Sequence, residues 1–218
     1  MSDFNPEKAS DSELIGAGLV TPIESEETTH FCVVDKDGNA VSLTTTINGG
    51  YGSKTVVSGG GFLLNNEMDD FSAKPGVPNM FGLIGNEANA IEPGKRMLSS
   101  MTPTIVTKNN EVYMVVGTPG GSTIITSVFQ TILNVIEFDK PLSEAVSLGR
   151  FHHQWKPDAI QLDKLIELSP AIEKNLTEKG HILKQRGNFG RVEAILKRAD
   201  GRWEGAADVR GDDDARGF

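Results

Sequence analysis

Hydroxyl, amide and carboxylate groups recur in this sequence in combinations that suit acyl transfer. Thr28 and Thr29 open the run E-T-T-H-F-C-V-V (27–34), and Ser42, Thr44, Thr46 and Asn48 alternate along V-S-L-T-T-T-I-N (41–48). A Thr hydroxyl is a weak nucleophile that needs a base. When Thr is the first residue of a chain its own α-amine serves, titrating near about 7.7–8.0. Attack on an acyl carbon also needs donors for the oxyanion. Gly120 and Gly121 precede an apolar helical stripe. Amide N–H groups there lack helical partners, and the helix dipole favours negative charge. A plain strand-to-helix turn would read the same. Glu67 and Asp70 stand three apart and share a face if 65–71 forms a helical turn. Alone, they also read as a solvated acidic turn.

These groups need elements to hold them. Two Val- and Thr-rich runs flank Asp37-Gly38, a strong hairpin signal. A three-residue loop over Lys36 to Gly38, with Gly38 left-handed, puts Thr28 opposite Thr46; a two-residue loop puts Thr29 there. On the second strand Val41, Leu43, Thr45 and Ile47 share one face, and Ser42, Thr44, Thr46 and Asn48 the other. Thr is also a common strand former, so no single Thr is diagnostic. His30 is expected to point away from Thr28.

Further along, Phe62-Leu63-Leu64 reads as a buried strand. Residues 74–98 read as a long irregular loop, of the kind that in compact domains is functional or disordered. A second hairpin is expected from Thr104–Lys108 and Glu111–Gly117 about Asn109-Asn110. Apolar residues from Ile124 to Ile136 recur at helical spacing on a broad stripe and predict a central buried helix. A helix follows Pro141, near 143–148. A third spans 169–179, with Ser169 as cap, Pro170 at its first position and Gly180 beyond its end. Strands near 160–163, 181–185, 192–197 and 202–207 complete an α+β chain.

Composition narrows the classes. A chain of 218 residues fits one domain. Its net charge of −9 argues against nucleic acid or an anionic membrane as partner. No stretch is apolar for long enough to span a bilayer. Cys32 is the only cysteine, which excludes an internal disulfide and reads as a buried thiol. His152-His153 is a tempting metal pair, but neighbours on a strand face opposite ways; no metal or cofactor is expected. The start, M-S-D-F-N-P-E-K, carries no secretory signal. Residues 1–27 read as an acidic linker, and 28–218 as the catalytic domain.

Four stretches in order, E-T-T-H (27–30), L-L-N-N-E-M-D-D-F-S (63–72), S-S-M-T-P-T (99–104) and G-T-P-G-G-S (117–122), resemble the small-subunit region of the gamma-glutamyltransferases. The resemblance runs from about Glu24 to Phe218. It implies self-cleavage before Thr28, which becomes the nucleophile, with Thr46 hydrogen-bonded to it. Gly120 and Gly121 become the oxyanion hole. Asn48, Glu67 and Asp70 hold the substrate's α-ammonium, Ser99 and Ser100 its carboxylate, and Phe81 sits in a lid. Asp69 is assigned a structural role, as are Arg150 and Arg210. The Arg that completes the carboxylate clamp in the family has no match here, and Arg96 is not promoted to it.

The resemblance also implies a four-layer αββα sandwich of the N-terminal nucleophile hydrolases, of which this chain supplies the small-subunit half. Exposed sheet edges, a large-subunit partner or self-association are therefore expected. The expected activity is gamma-glutamyl transfer from glutathione-like compounds to water or an amino acid. The rival readings are an incomplete half acting as a structural partner, and a cephalosporin acylase or poly-gamma-glutamate depolymerase on the same chemistry. Periplasmic or extracellular location follows from the resemblance alone.

Overall fold

A computed structural model describes residue 8 and residues 28–217. Apart from Lys8, the expected acidic linker over 1–27 lies outside the described residues. Among those described are nine strands and three α-helices. The strands are β1 (Thr28–Val34), β2 (Ala40–Thr46), β3 (Thr104–Lys108), β4 (Glu111–Gly117), β5 (Phe151–His152), β6 (Ile160–Leu162), β7 (Leu183–Gln185), β8 (Glu193–Lys197) and β9 (Trp203–Ala207). The helices are α1 (Ile124–Ile136), α2 (Leu142–Ser147) and α3 (Pro170–Glu178). They fall into two compact units, a larger one with 28–67, 100–148 and the residues from 189 on, and a smaller one with 68–99 and 149–188.

In the larger unit β1 and β2 pair antiparallel, with Thr28 opposite Thr46, His30 opposite Thr44 and Cys32 opposite Ser42. This is the register of the three-residue loop. Gly38 takes φ 83°, a left-handed conformation open to glycine. The Asp35 carboxylate accepts from the amides of Asp37 and Asn39, both at 2.9 Å, and fixes the turn.

The second hairpin, β3 and β4, turns on Asn109 and Asn110, which are both left-handed. It extends into a four-stranded sheet in the order β3-β4-β8-β9. Alternation along β4 sends Met114 and Val116 to one face, Val115 and Gly117 to the other. Met114 and Val116 join Ala194 and Ala206 in packing against Ile124, Val128 and Val135 of α1 and Leu142, Ala145 and Val146 of α2. The opposite face receives the β1-β2 hairpin. There Ser42 Oγ donates to the Val116 carbonyl at 3.1 Å, and the Cys32 thiol donates to the Glu193 carbonyl at 3.6 Å. The unit is thus layered as helices, sheet and hairpin.

Two expectations change. Helix α1 is buried on one face only: Ile124, Ser127, Val128, Thr131 and Val135 face inward, while Ile125, Phe129 and Ile136 are exposed. Its broad apolar stripe outruns the surface the unit offers it. Phe62-Leu63-Leu64 is not a buried strand. Leu63 makes a single bridge to Val56, and Phe62 and Leu64 are exposed. The hairpin turns its polar ladder inward and leaves Phe31, Val33, Val41 and Leu43 exposed.

In the smaller unit β5 pairs antiparallel with β6, and β6 parallel with β7. Helix α3 has the expected caps. Ser169 Oγ accepts from the Ile172 amide, Pro170 opens the helix, and Gly180 beyond it takes φ 97°. Residues 74–98 are irregular except for a 3-10 turn at Glu87–Asn89.

Candidate active site

Thr28 begins β1 and is buried on the hairpin's inner face. Its Oγ1 donates to Thr46 Oγ1 at 3.1 Å, and the Asn48 amide donates to the same oxygen at 2.9 Å. Asn48 leaves the strand in a left-handed conformation, φ 74°, and is buried. Asparagine tolerates that region better than most residues. Its side-chain amide donates to the Asn66 carbonyl at 3.2 Å, while the Gly49 amide donates to Asn66 Oδ1 at 2.9 Å. The segment ending at Glu67 is thereby tied to the end of β2. Within the larger unit, Thr28, Thr46 and Asn48 therefore lie in one hydrogen-bonded network, with Glu67 one residue from it.

Glu67 opens a 3-10 turn over Glu67–Asp70, the helical turn expected between 65 and 71. Side chains three apart eclipse in such a turn. Asn65 Oδ1 accepts the Glu67 amide at 3.0 Å, and burial pushes the Glu67 carboxyl up from the ordinary range. Asp69 Oδ2 accepts the Met80 amide at 2.9 Å and so braces the 79–80 loop, and the Asp70 backbone carbonyl accepts from Asn89 Nδ2 at 2.7 Å. Phe81 is half-buried, and its carbonyl accepts from Gln154 Nε2 at 3.4 Å. Ser99 is exposed at the end of one segment of the smaller unit; Ser100 is half-buried and starts the next segment of the larger.

Gly120 and Gly121 precede α1 with φ of 139° and 54°, conformations that favour glycine. Neither amide N–H donates to any described residue. Two such donors at a helix entrance are what an oxyanion requires.

His30 corrects the sequence reading. Residues two apart on a strand share a face, and His30 lies buried on the same inner face as Thr28. Its Nδ1 is 2.8 Å from Thr44 Oγ1 and its Nε2 is 3.2 Å from Cys32 Sγ. The thiol hydrogen is committed to the Glu193 carbonyl, so Nε2 carries the ring proton and Nδ1 accepts from Thr44. Burial lowers the imidazole pKa to about 4 and pushes the Cys32 thiol up to about 12. Both are therefore neutral at physiological pH. Gly117 completes this packing, since a Cβ there would stand 2.2 Å from His30 Cε1.

Glu193, behind Cys32, had no signal in the sequence beyond a charge at the start of a short strand. Burial first, then the Asp213 carboxylate, raises its carboxyl to about 8, with Arg191 opposing. Arg210 Nη1 donates to Asp208 Oδ1 at 2.8 Å and its Nη2 to the Leu148 carbonyl at 2.7 Å, a fully buried ion pair. Arg150 is buried and Arg96 exposed. His152 Nε2 lies 2.8 Å from Gln154 Oε1, and His153 Nε2 3.2 Å from Asp158 Oδ1. Among the described residues no three ligating side chains cluster as a metal site would require.

Helices on one face of a sheet and a Thr-led hairpin on the other form the α+β organisation of the N-terminal nucleophile hydrolases. The family model of Gamma-glutamyltranspeptidase matches residues 2–218, and the chain belongs to that family. It is 52% identical over 213 residues to a glutathione hydrolase proenzyme of Pseudomonas aeruginosa, covering 96% of this chain and 37% of that one. Among solved structures it resembles a gamma-glutamyltranspeptidase from Pseudomonas nitroreducens. The TM-score is 0.81 at 52% identity, covering 87% of this chain and 99% of that one. It also resembles an acivicin-inhibited gamma-glutamyltranspeptidase whose C-terminus has critical roles in autoprocessing and catalysis. There the TM-score is 0.80 at 52% identity, covering 84% and 99%. The chain spans about a third of the length of the curated relatives it matches.

Proposed function

We propose that this chain is the nucleophile-bearing part of a gamma-glutamyltransferase or glutathione hydrolase. The observation that carries the reading is the Thr28 Oγ1 to Thr46 Oγ1 hydrogen bond at the very start of β1, in a chain whose relatives are proenzymes. Cleavage of the Glu27–Thr28 bond would leave Thr28 with a free α-amine, a base poised near working pH. The amine takes the hydroxyl proton and Oγ1 attacks the gamma-carbonyl of the substrate. The amides of Gly120 and Gly121 stabilise the oxyanion. The leaving amine departs with the proton, and water or an acceptor amine then resolves the gamma-glutamyl ester. Thr46, which already accepts two hydrogen bonds, orients the nucleophile.

Asn48, Glu67 and Asp70 bind the α-ammonium of the donor, Ser99 and Ser100 its carboxylate, and Phe81 serves the lid. The partner is the region that precedes Thr28 in the family, and the exposed apolar face of the β1-β2 hairpin is its seat. Among the described residues no helix is long and apolar enough to cross a membrane; a periplasmic or extracellular site of action rests on the family.

Intact-mass measurement and turnover of a gamma-glutamyl anilide by the complete protein test the reading. Thr28→Ala should abolish both cleavage and turnover. Thr46→Ala should slow both without abolishing either, because one hydrogen bond contributes about 0.5–1.5 kcal/mol. Turnover by an uncleaved species, or by Thr28→Ala, would sink the reading.

A further inference from the structure

Whether two amides can serve an oxyanion depends on where they point, and in this chain two buried threonines set that direction. In a trans peptide the C=O and the following N–H point opposite ways. Holding one residue's carbonyl therefore aims the next residue's amide. Thr118 Oγ1 donates to the Pro119 carbonyl at 2.7 Å, and Pro119 C=O shares its peptide with Gly120 N–H. Thr123 Oγ1 donates to the Gly120 carbonyl at 2.7 Å, beside the Thr123 amide at 3.1 Å. Gly120 C=O shares its peptide with Gly121 N–H. Both threonines are fully buried.

The direction of the Thr118 hydrogen bond is itself determined. The Arg191 amide donates to Thr118 Oγ1 at 2.7 Å, so the single hydroxyl hydrogen goes to Pro119. Gly190 also backs directly onto Gly120. A Cβ on Gly120 would lie 3.2 Å from the backbone of Gly190, and one on Gly190 would lie 3.2 Å from Thr118 Oγ1. Carbonyls of the glycine turn are thus engaged on the protein side, and the amides of Gly120 and Gly121 have no acceptor among the described residues.

We infer that Thr118 and Thr123 are positioning residues for the oxyanion hole: their hydroxyls fix the Pro119–Gly120 and Gly120–Gly121 peptides so that both amides face the reacting acyl oxygen. This rests on the gamma-glutamyl transfer reading above. The two hydroxyls never touch substrate. Their effect is confined to the transition state, where charge develops on the oxygen.

The test uses the complete protein, a gamma-glutamyl anilide as substrate, and a boronic acid with boron in place of the scissile carbonyl carbon as a tetrahedral mimic. Thr123→Val is the safer substitution, because the Gly120 carbonyl keeps its bond from the Thr123 amide. Thr118→Val strips the Pro119 carbonyl and the Arg191 amide of a shared partner. Losing an oxyanion donor outright costs about 10²–10³ in kcat, so misaiming one should cost on the order of tenfold. We expect that loss in kcat for each Val variant, KM within about twofold, and a parallel loss in boronate affinity. Thr123→Ser and Thr118→Ser, which keep the hydroxyl, should restore all three. A merely structural role would lower thermal stability and leave kcat and boronate binding alone. Thr123→Val with unaltered kcat, or a Thr123→Ser variant as impaired as Thr123→Val, overturns the inference while leaving the function reading intact. An unsubstituted protein with no Thr28-dependent turnover overturns both.

Discussion

Gly117 is a glycine because His30 occupies the space a side chain would need. A Cβ there would meet the imidazole at 2.2 Å from Cε1 and 2.5 Å from each nitrogen, and the ring is held on both sides by Thr44 and Cys32. Gly117→Ala should therefore cost about 1–3 kcal/mol, as overpacking of a filled interior does. The drop would be read from the denaturant midpoint. A midpoint equal to the unsubstituted protein's would show that the hairpin layer yields freely. At this scale the sequence was legible where local backbone rules fix a residue's place, as in the pairing of Thr28 with Thr46 and the helical turn at Glu67–Asp70. It misled at His30, where adjacency to Thr28 in the T-T-H run hid the fact that two residues along a strand restores the same face. Thr118 and Thr123 were invisible because a hydroxyl aimed at a carbonyl has no signature in the letters.

The elements were more readable than their surroundings. The two hairpins announced themselves through Asp37-Gly38 and Asn109-Asn110, and α3 through its cap, proline and glycine, because these are local backbone requirements. Burial was less readable, because it depends on which layer lies opposite. The inner face of the β1-β2 hairpin meets Glu193 of β8, and this predicts a pH dependence. Burial and the Asp213 charge raise the Glu193 carboxyl to about 8 against the help of Arg191, whereas an unfolded Glu titrates near about 4.3. Between those values the unfolded chain has released the proton and the folded one holds it. Stability from this group is therefore full below about 4.3 and is lost as pH rises through 8. His30 runs the other way. Its imidazole is depressed to about 4, so its contribution is present above the unfolded value of about 6.5 and lost as pH falls through 4. Glu193→Gln should abolish the first trend alone. The variant's denaturant midpoint, relative to the unsubstituted protein's, should rise from pH 5 to pH 8. A difference that stays constant over that interval would mean that Glu193 is ionised in the fold.

For the whole molecule, the hairpin is turned inside out for a chain standing alone. Its hydroxyl ladder faces the four-stranded sheet, while Phe31, Val33, Val41 and Leu43 are 46%, 50%, 48% and 37% exposed on the outside. The pairs Phe31–Leu43 and Val33–Val41 sit opposite one another across the strands, so the four make one continuous apolar patch. A chain covering about a third of its relatives' length has a natural candidate to cover it, the region that precedes Thr28 in the family. Full burial of such a side chain contributes about 1.5–3 kcal/mol. Each is already about half buried, which leaves about 0.8–1.5 kcal/mol per residue for assembly. That is about fourfold to tenfold in the association constant. Phe31→Ser and Val33→Ser should each weaken association with the preceding region by about that factor, and the pair together by about fifteenfold to a hundredfold. Because both side chains point away from Thr28 and Thr46, kcat on a gamma-glutamyl anilide should be unchanged once assembly is saturated. The two effects are separable by titrating separately expressed halves and following both complex formation and turnover. Unweakened association in the double variant would place the partner on another surface. Lost kcat at saturation would instead mean that the outer face supports the nucleophile directly.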